Sequence, residues 1–221
     1  MIASQKVISE CISVGAEGLA LSLTGKQVDL LSRYVALLVK WNKTYNLTAV
    51  RDPVQMVSRH VIDSLSITPF VKSDNMLDIG SGPGLPGIPL AVLYPNKLVS
   101  TLDSNGKKTR FMEHVKMELG LNNLTVINSR VECYQTESLF GEITCRAFSS
   151  LTDIVQKVKH LLVDSGVYLV MKGRYPNKEI HELMKHTDCE LVEVVSLHVP
   201  ESGGERHLVI LRKQQVLNGG R

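Results

Sequence analysis

Met76–Gly87 reads M-L-D-I-G-S-G-P-G-L-P-G. Its first four residues have the apolar character of a buried strand, and the next eight contain four glycines and two prolines, more than a simple turn requires. Glycine lets the backbone come close to a ligand, and proline stiffens a loop so that ordering it costs less entropy. A helix opening behind such a loop presents unpaired N–H groups. In open α/β sheets, ligands bind outside the carboxyl ends of the strands. The stretch is expected to be a strand, a ligand loop and a helix start.

Outward from this stretch the chain divides near residue 70. Before it, apolar residues recur at helical spacing from Ser4 to Leu23 and from Lys26 to Lys43, where Val28, Leu31, Val35, Leu38 and Trp41 form one stripe. Asp52-Pro53 opens a third helix, with Asp as N-cap and Pro in the first turn and a stripe of Val54, Val57, Val61 and Leu65. After residue 70, short apolar runs alternate with amphipathic segments. Strands are expected at Met76–Ile79, Leu98–Leu102, Leu124–Ile127, Ile143–Cys145 and Val167–Met171. Helices are expected to start near Leu85, Gly106, Val131 (short) and Leu151, with another at Asn177–His186. This alternation means a parallel sheet covered on both faces. Leu191–Val199 and Arg206–Arg212 flank a turn at Gly203-Gly204, so the sheet should close with an antiparallel hairpin. The organisation is a helical extension over 1–70, an α/β domain over 71–214 and a loose tail over 215–221.

Hydrophobic residues make up 43% of the 221 and charged residues 21%, which suits one globular α/β domain with an extension. No run reaches the roughly 20 apolar residues of a membrane span, and the N-terminus lacks the pattern of a secretory signal; a cytoplasmic protein without membrane contact is the expectation. The four cysteines, Cys11, Cys133, Cys145 and Cys189, are scattered without metal-ligand spacing and read as reduced core residues, with no metal site. A net charge of +3 permits a nucleic-acid partner without demanding one.

Gly82-x-Gly84-x-x-Gly87 matches a dinucleotide fingerprint, a weak signal when alone. Asp78 before the loop would repel a pyrophosphate and attract an ammonium. Together with the closing hairpin it favours S-adenosylmethionine over a nicotinamide cofactor. Asp103, ending the second strand, suits the two ribose hydroxyls of either. For the methyl acceptor, no cysteine follows a proline, as carbon methylation of pyrimidines usually needs, and no Asp/Asn-Pro-Pro-aromatic element is present for an exocyclic amine. A ring nitrogen with a free lone pair, such as guanine N7, needs no base and fits this absence. Arg130, Arg146, Lys172, Arg174, Arg206 and His207 follow or open strands on the ligand rim, where guanidinium groups suit phosphate and guanine contacts. Arg59 and His60, with Asp63 beyond, form a second cluster. Asn42 and Asn46 flank Trp41 and Tyr45 and could touch an RNA base or equally cap the helix and fill the core. A small-molecule methyltransferase and an RNA-binding regulator remain open on these residues alone.

The runs W-N-K-T-Y-N-L-T-A-V-R-D-P (Trp41–Pro53), R-H-V-I-D-S-L (Arg59–Leu65), L-D-I-G-S-G-P-G-L-P-G-I-P (Leu77–Pro89), L-D-S-N-G-K-K (Leu102–Lys108), S-R-V-E (Ser129–Glu132), R-A-F (Arg146–Phe148) and G-E-R-H-L-V (Gly204–Val209) together resemble the glucose-inhibited division protein B family of bacterial small-subunit rRNA methyltransferases, in order along nearly the whole chain. The resemblance implies a Rossmann-like class I S-adenosylmethionine-dependent methyltransferase that modifies N7 of one guanine in a decoding-region loop of 16S rRNA. Its partner would be that RNA or a small-subunit precursor, bound by a monomer. By motif, Asp78, Gly80, Gly82, Leu85, Asp103, Val131 and Glu132 would hold the cofactor, and Arg146 would sit beside both cofactor and reacting base as the catalytic residue. Asn46, Arg59, His60, Arg130, Lys172, Arg206 and His207 would contact RNA. Asn105 stands where relatives often carry a bulkier residue.

Overall fold

A computed structural model describes residues 4–213; the tail expected to be loose over 215–221 lies outside the described residues. Strands β1 (Asn75–Ile79), β2 (Leu98–Asp103), β3 (Leu124–Asn128), β4 (Phe140–Arg146), β5 (Leu162–Lys172), β6 (Cys189–Ser196) and β7 (His207–Lys213) form one sheet in the order β3-β2-β1-β4-β5-β7-β6. The first five run parallel, and β7 lies antiparallel between β5 and β6. This is the doubly wound order with the expected hairpin at its end.

Helices α1 (Gln5–Glu17), α2 (Gly25–Tyr45), α3 (Pro53–Met56), α4 (Asp63–Leu65), α5 (Gly87–Leu93), α6 (Gly106–Leu119), α7 (Leu151–Val158) and α8 (Asn177–His186) cover the two faces. Side chains alternate across each strand. Met76 and Leu169 pack with Ile12, Leu31, Tyr34, Leu65 and Phe111 from α1, α2, α4 and α6. Their neighbours Leu77 and Val170 pack with Leu151, Ile154, Val158 and Leu183 from α7 and α8. The N-terminal helices thus share one core with α5 and α6.

Two helical expectations need correction. α1 stops at Glu17, well short of Leu23. Ala20 takes a left-handed conformation (φ 56°), so the Leu21 N–H reaches back to the Ala16 carbonyl at 2.9 Å and closes the helix end. The third helix does begin at the Asp52 cap, whose carboxylate accepts the Gln55 N–H at 2.9 Å. Between α3 and α4, however, it widens into a π-helical stretch, Val57–Ile62, a form common at functional sites. The cysteines also divide: Cys145 and Cys189 are buried, Cys11 is half-buried and Cys133 is exposed. Cys133 closes a single 3-10 turn at Val131–Cys133, too short to cover its own side chain.

α2 does more than fill the core. A reciprocal cap fixes its start: the Thr24 hydroxyl accepts the Gln27 N–H at 3.2 Å and the Gln27 side chain accepts the Thr24 N–H at 2.8 Å. From its middle, the buried Tyr34 hydroxyl donates to the Pro83 carbonyl at 3.0 Å and braces the glycine loop. Tyr34→Phe should therefore lower the free energy of unfolding by about 1–2 kcal/mol, since Pro83 keeps a buried carbonyl without a donor. Amide exchange across Gly80–Gly84 should also accelerate. Unchanged melting and exchange would show that the brace carries no load.

Candidate active site

The register of the sheet brings the strand ends to one rim. Ile79 is level with Leu102 and Cys145, Arg146 with Met171, and Lys172 with His207. Above this rim lie two cavities that share one residue, Ala147.

The first, about 420 Å3, is lined by Gly80, Leu102, Asp103, Ser104, Lys108, Ser129, Arg130, Val131, Glu132, Ala147 and Phe148. Gly80 is left-handed (φ 61°), and a Cβ there would run into the Phe148 ring, so only glycine lets the two pack. Asp103 anchors the wall: its Oδ2 accepts the Gly82 N–H at 2.9 Å and its Oδ1 accepts the Asn105 N–H at 2.8 Å. Oδ2 also lies 3.6 Å from Lys108 Nζ, and Oδ1 keeps a second lone pair for a further donor. Asn105, in turn, caps α6 by accepting the Lys107 N–H at 3.0 Å, which a bulkier apolar residue would not do. Glu132 pairs with Lys157 at 3.3 Å; its own backbone N–H, then Lys157, holds the carboxyl below its usual range.

S-adenosylmethionine, the group expected from the sequence, suits this lining. Leu102, Val131 and Phe148 offer apolar surface to a purine. Asp103 offers a carboxylate to a ribose, and Gly80 opens backbone to the rest.

Four residues expected around this group lie elsewhere, one of them Arg146, which lines the second cavity described below. Asp78 is fully buried on the Met76 side of β1, where its Oδ2 accepts the Gly87 N–H at 2.9 Å and its Oδ1 has no partner. It supports the start of α5 from beneath and does not line the cavity. The Leu85 side chain turns into the core and its N–H bonds the Ser81 carbonyl at 2.8 Å, because an apolar side chain gains more from packing than from the rim. Gly82 spends its N–H on Asp103, so it shapes the loop through that bond.

The second cavity, about 350 Å3, is lined by Arg59, Asp63, Arg146, Ala147, Met171, Lys172, Gly173, Leu197, Arg206 and His207. At its wall the Asp63 carboxylate accepts Arg146 Nη1 on Oδ2 and Arg206 Nε on Oδ1, both at 2.8 Å. Arg146 Nη1 also donates to the Arg59 carbonyl at 3.0 Å. Lys172 donates to the Ser149 carbonyl at 2.7 Å and to Glu179 at 2.8 Å, tying the loop after β4 to α8. His207 Nδ1 donates to the Gly173 carbonyl at 2.8 Å. Ala147 itself is left-handed (φ 51°), a strained state for a residue with a Cβ and typical of functional sites.

The expected cations are not all together. Arg59, Arg146, Lys172, Arg206 and His207 meet at the second cavity, whereas Arg130 stands over the first. His60 is buried, its Nε2 accepting from the Thr48 hydroxyl at 2.8 Å. Burial, then Arg146, pushes its pKa down to about 4, so it is a neutral structural residue turned away from the rim. Asn46 is exposed but caps α2 in a left-handed conformation (φ 50°), and its side chain accepts from Arg51 at 2.7 Å. Asn42 is the core amide, accepting the Thr48 N–H at 2.9 Å. Asp63 was legible only as the neighbour of His60. The residues that give it meaning lie 83 and 143 positions away.

The family model described as rRNA small subunit methyltransferase G matches residues 27–209. The chain belongs to this family. It is 52% identical over 208 residues to the ribosomal RNA small subunit methyltransferase G of Pseudomonas entomophila, covering 93% of this chain and 95% of that one. It is likewise 52% identical over 200 residues to the protein of the same name from Pseudomonas aeruginosa PAO1, covering 90% and 92%. Among solved structures, the fold is similar to that of the glycopeptide N-methyltransferase MtfA complexed with S-adenosylmethionine (TM-score 0.61, 11% identity, 72% of this chain and 88% of that one). It is also similar to an S-adenosylmethionine-dependent methyltransferase from Aquifex aeolicus (TM-score 0.57, 14% identity, 72% and 93%). The expected class I methyltransferase fold of the rRNA small subunit methyltransferase G family is therefore the observed one. Among the described residues, no helix is long and apolar enough to cross a membrane.

Burial lifts the Asp78 carboxyl to about 7, against the pull of the Gly87 N–H. The folded chain therefore keeps a proton that the unfolded chain releases above its ordinary pKa of about 4. Stability from this group is full below that value and declines as pH rises to about 7. Asp78→Asn, which retains an oxygen for Gly87, should flatten this part of the stability–pH curve between about 4 and 7. An unchanged slope in chemical denaturation would show that Asp78 ionises normally.

Proposed function

We propose that this small-subunit ribosomal RNA methyltransferase transfers the methyl group of S-adenosylmethionine to N7 of a single guanine in 16S rRNA, acting in the cytoplasm as a monomer. The observation that carries this reading is the pair of cavities meeting at Ala147: one suits the methyl donor and the other is lined by cations suited to RNA. When bound, S-adenosylmethionine supplies a methyl on a sulfonium, open to in-line displacement. Leu102, Val131 and Phe148 hold the purine, Glu132 borders its edge, and Asp103 takes the ribose hydroxyls. Arg146, at the junction, orients the target base. Arg59, Lys172, Arg206 and His207 draw in the phosphates and the base, which a single-stranded loop can turn outward.

A ring nitrogen is the acceptor that asks least of this lining. When guanine N7 takes a methyl, the N–C bond forms as the S–C bond breaks and no proton leaves, so no general base is required. The reaction asks for none of the cavity's possible proton acceptors: both Asp63 oxygens are taken by arginines, and the Nε2 lone pair that His207 keeps while its Nδ1 donates to the Gly173 carbonyl has no proton to remove. The chain's task is alignment and exclusion of water.

Incubation with methyl-labelled cofactor and small-subunit RNA, naked or assembled, should place label on one 7-methylguanine. Label on an exocyclic nitrogen, or on no RNA, would contradict the proposal. Arg206→Ala should weaken RNA binding by about tenfold or more, as expected for a charge-assisted contact, with a shallower salt dependence. Affinity for S-adenosylhomocysteine should stay within about twofold, because Arg206 touches only the second cavity and distant sites are nearly independent.

A further inference from the structure

The Asp63 carboxylate serves two cations that arrive from different parts of the chain: Arg146 at the end of β4, and Arg206 just before β7. Its side chain is only 3% exposed, whereas those of Arg146 and Arg206 are 22% and 23% exposed. Both arginines line the acceptor cavity. Without a shared anion, two guanidinium groups on one wall would repel and swing toward water. The contacts are also directional. Arg146 uses Nη1 twice, for Asp63 and the Arg59 carbonyl. Arg206 uses Nε for Asp63 and Nη1 for the Glu205 carbonyl. Among the described residues this leaves Arg146 Nε and Nη2 and Arg206 Nη2 without a protein partner, three donor nitrogens on two groups whose planes are fixed. Asp63 itself is held at the exit of the π-helical stretch Val57–Ile62, and its main-chain carbonyl accepts the Ser66 hydroxyl at 2.7 Å.

We infer that Asp63 is the positioning residue of the acceptor cavity: it neither touches the RNA nor accepts a proton, but sets the orientation of Arg146 and Arg206 so that their remaining donors converge on one base. This deepens the proposed RNA function and rests on it. A role as general base does not fit, because both oxygens already accept a charge-assisted hydrogen bond and the carboxylate is buried beneath the arginines. A role confined to folding does not fit either, because the partners it holds are cavity walls rather than core.

The test is a double-mutant cycle of Asp63→Asn and Arg206→Gln, read as kcat and KM for methylation of small-subunit RNA and as S-adenosylhomocysteine affinity. The isosteric amide can accept only one of the two arginines well. Asp63→Asn should lower kcat/KM by about 30-fold, the scale of unpairing a desolvated charge. Affinity for S-adenosylhomocysteine should remain within about twofold, reporting an intact fold and first cavity. The double variant should lose clearly less than the product of the two single losses, because part of each loss acts through the contact that the two residues share. Additive losses would overturn the inference by showing that Asp63 acts without Arg206; so would wild-type kinetics in Asp63→Asn, or loss of cofactor-product binding. Label at an atom other than guanine N7 would end that part of the functional reading while leaving the cycle fully legible.

Discussion

A single carboxylate connects the parts of this protein that must cooperate. Asp63 comes from the N-terminal helical layer, Arg146 from the end of a parallel strand and Arg206 from the connection inside the terminal hairpin, just before β7. A buried acid gripped by two guanidinium groups depends on both: removing one arginine leaves one carboxylate oxygen without its donor, and removing the acid leaves two like charges on one wall. The contact therefore fixes three regions in one arrangement. Since both arginines also line the acceptor cavity, the same contact defines its shape. The helical layer is in this sense part of the active-site wall as well as a cover for one face of the sheet.

The sheet supplies the rest. Parallel strands deliver their carboxyl ends to one edge, so Gly80, Asp103, Ala147 and Lys172 become neighbours without special design. The glycine loop then has three supports. Asp78 bonds the first N–H of α5 from below, and Tyr34 bonds the Pro83 carbonyl from α2. Asp103 reaches across from β2 to Gly82. The loop is thereby set before any ligand arrives, which lowers the entropy lost on binding. Ala147, left-handed and exposed, stands where the two cavities meet, so the donor and acceptor sides are separated by the width of one small residue.

Much of this was legible in the sequence because buried parallel strands read as short apolar runs and their ends are marked by turn residues. α8 was read to the residue, Asn177–His186, and the strands to within a few residues. The longest, β5, was read only as five residues near its carboxyl end because Asp164-Ser165-Gly166 breaks the apolar run. Other features escaped for identifiable reasons. Asp78 was assigned to the cofactor for its charge beside the glycine loop, but strand parity puts it on the Met76 face, beneath α5. Leu85 follows the glycines closely in sequence yet faces inward. The π-helical widening has no simple pattern of its own, since the stripe Val54, Val57, Val61 and Leu65 fits an ordinary helix equally well. The Asp63 contact depends on residues far apart in the chain, and no local pattern encodes it. The acceptor was legible in the cations at the strand ends and, more decisively, in the assembled motifs, which is also how the family membership became visible.

The central claim is that the cavity bounded by Gly80, Asp103 and Val131 presents a methyl group to the cavity bounded by Asp63, Arg146 and Arg206. A crystal structure with S-adenosylhomocysteine tests it most directly. The account predicts the ribose on Asp103, the purine between Val131 and Phe148, and the sulfur beside Ala147 with its open side toward the arginines. A ligand whose ribose avoids Asp103, or whose sulfur faces away from the second cavity, would contradict it.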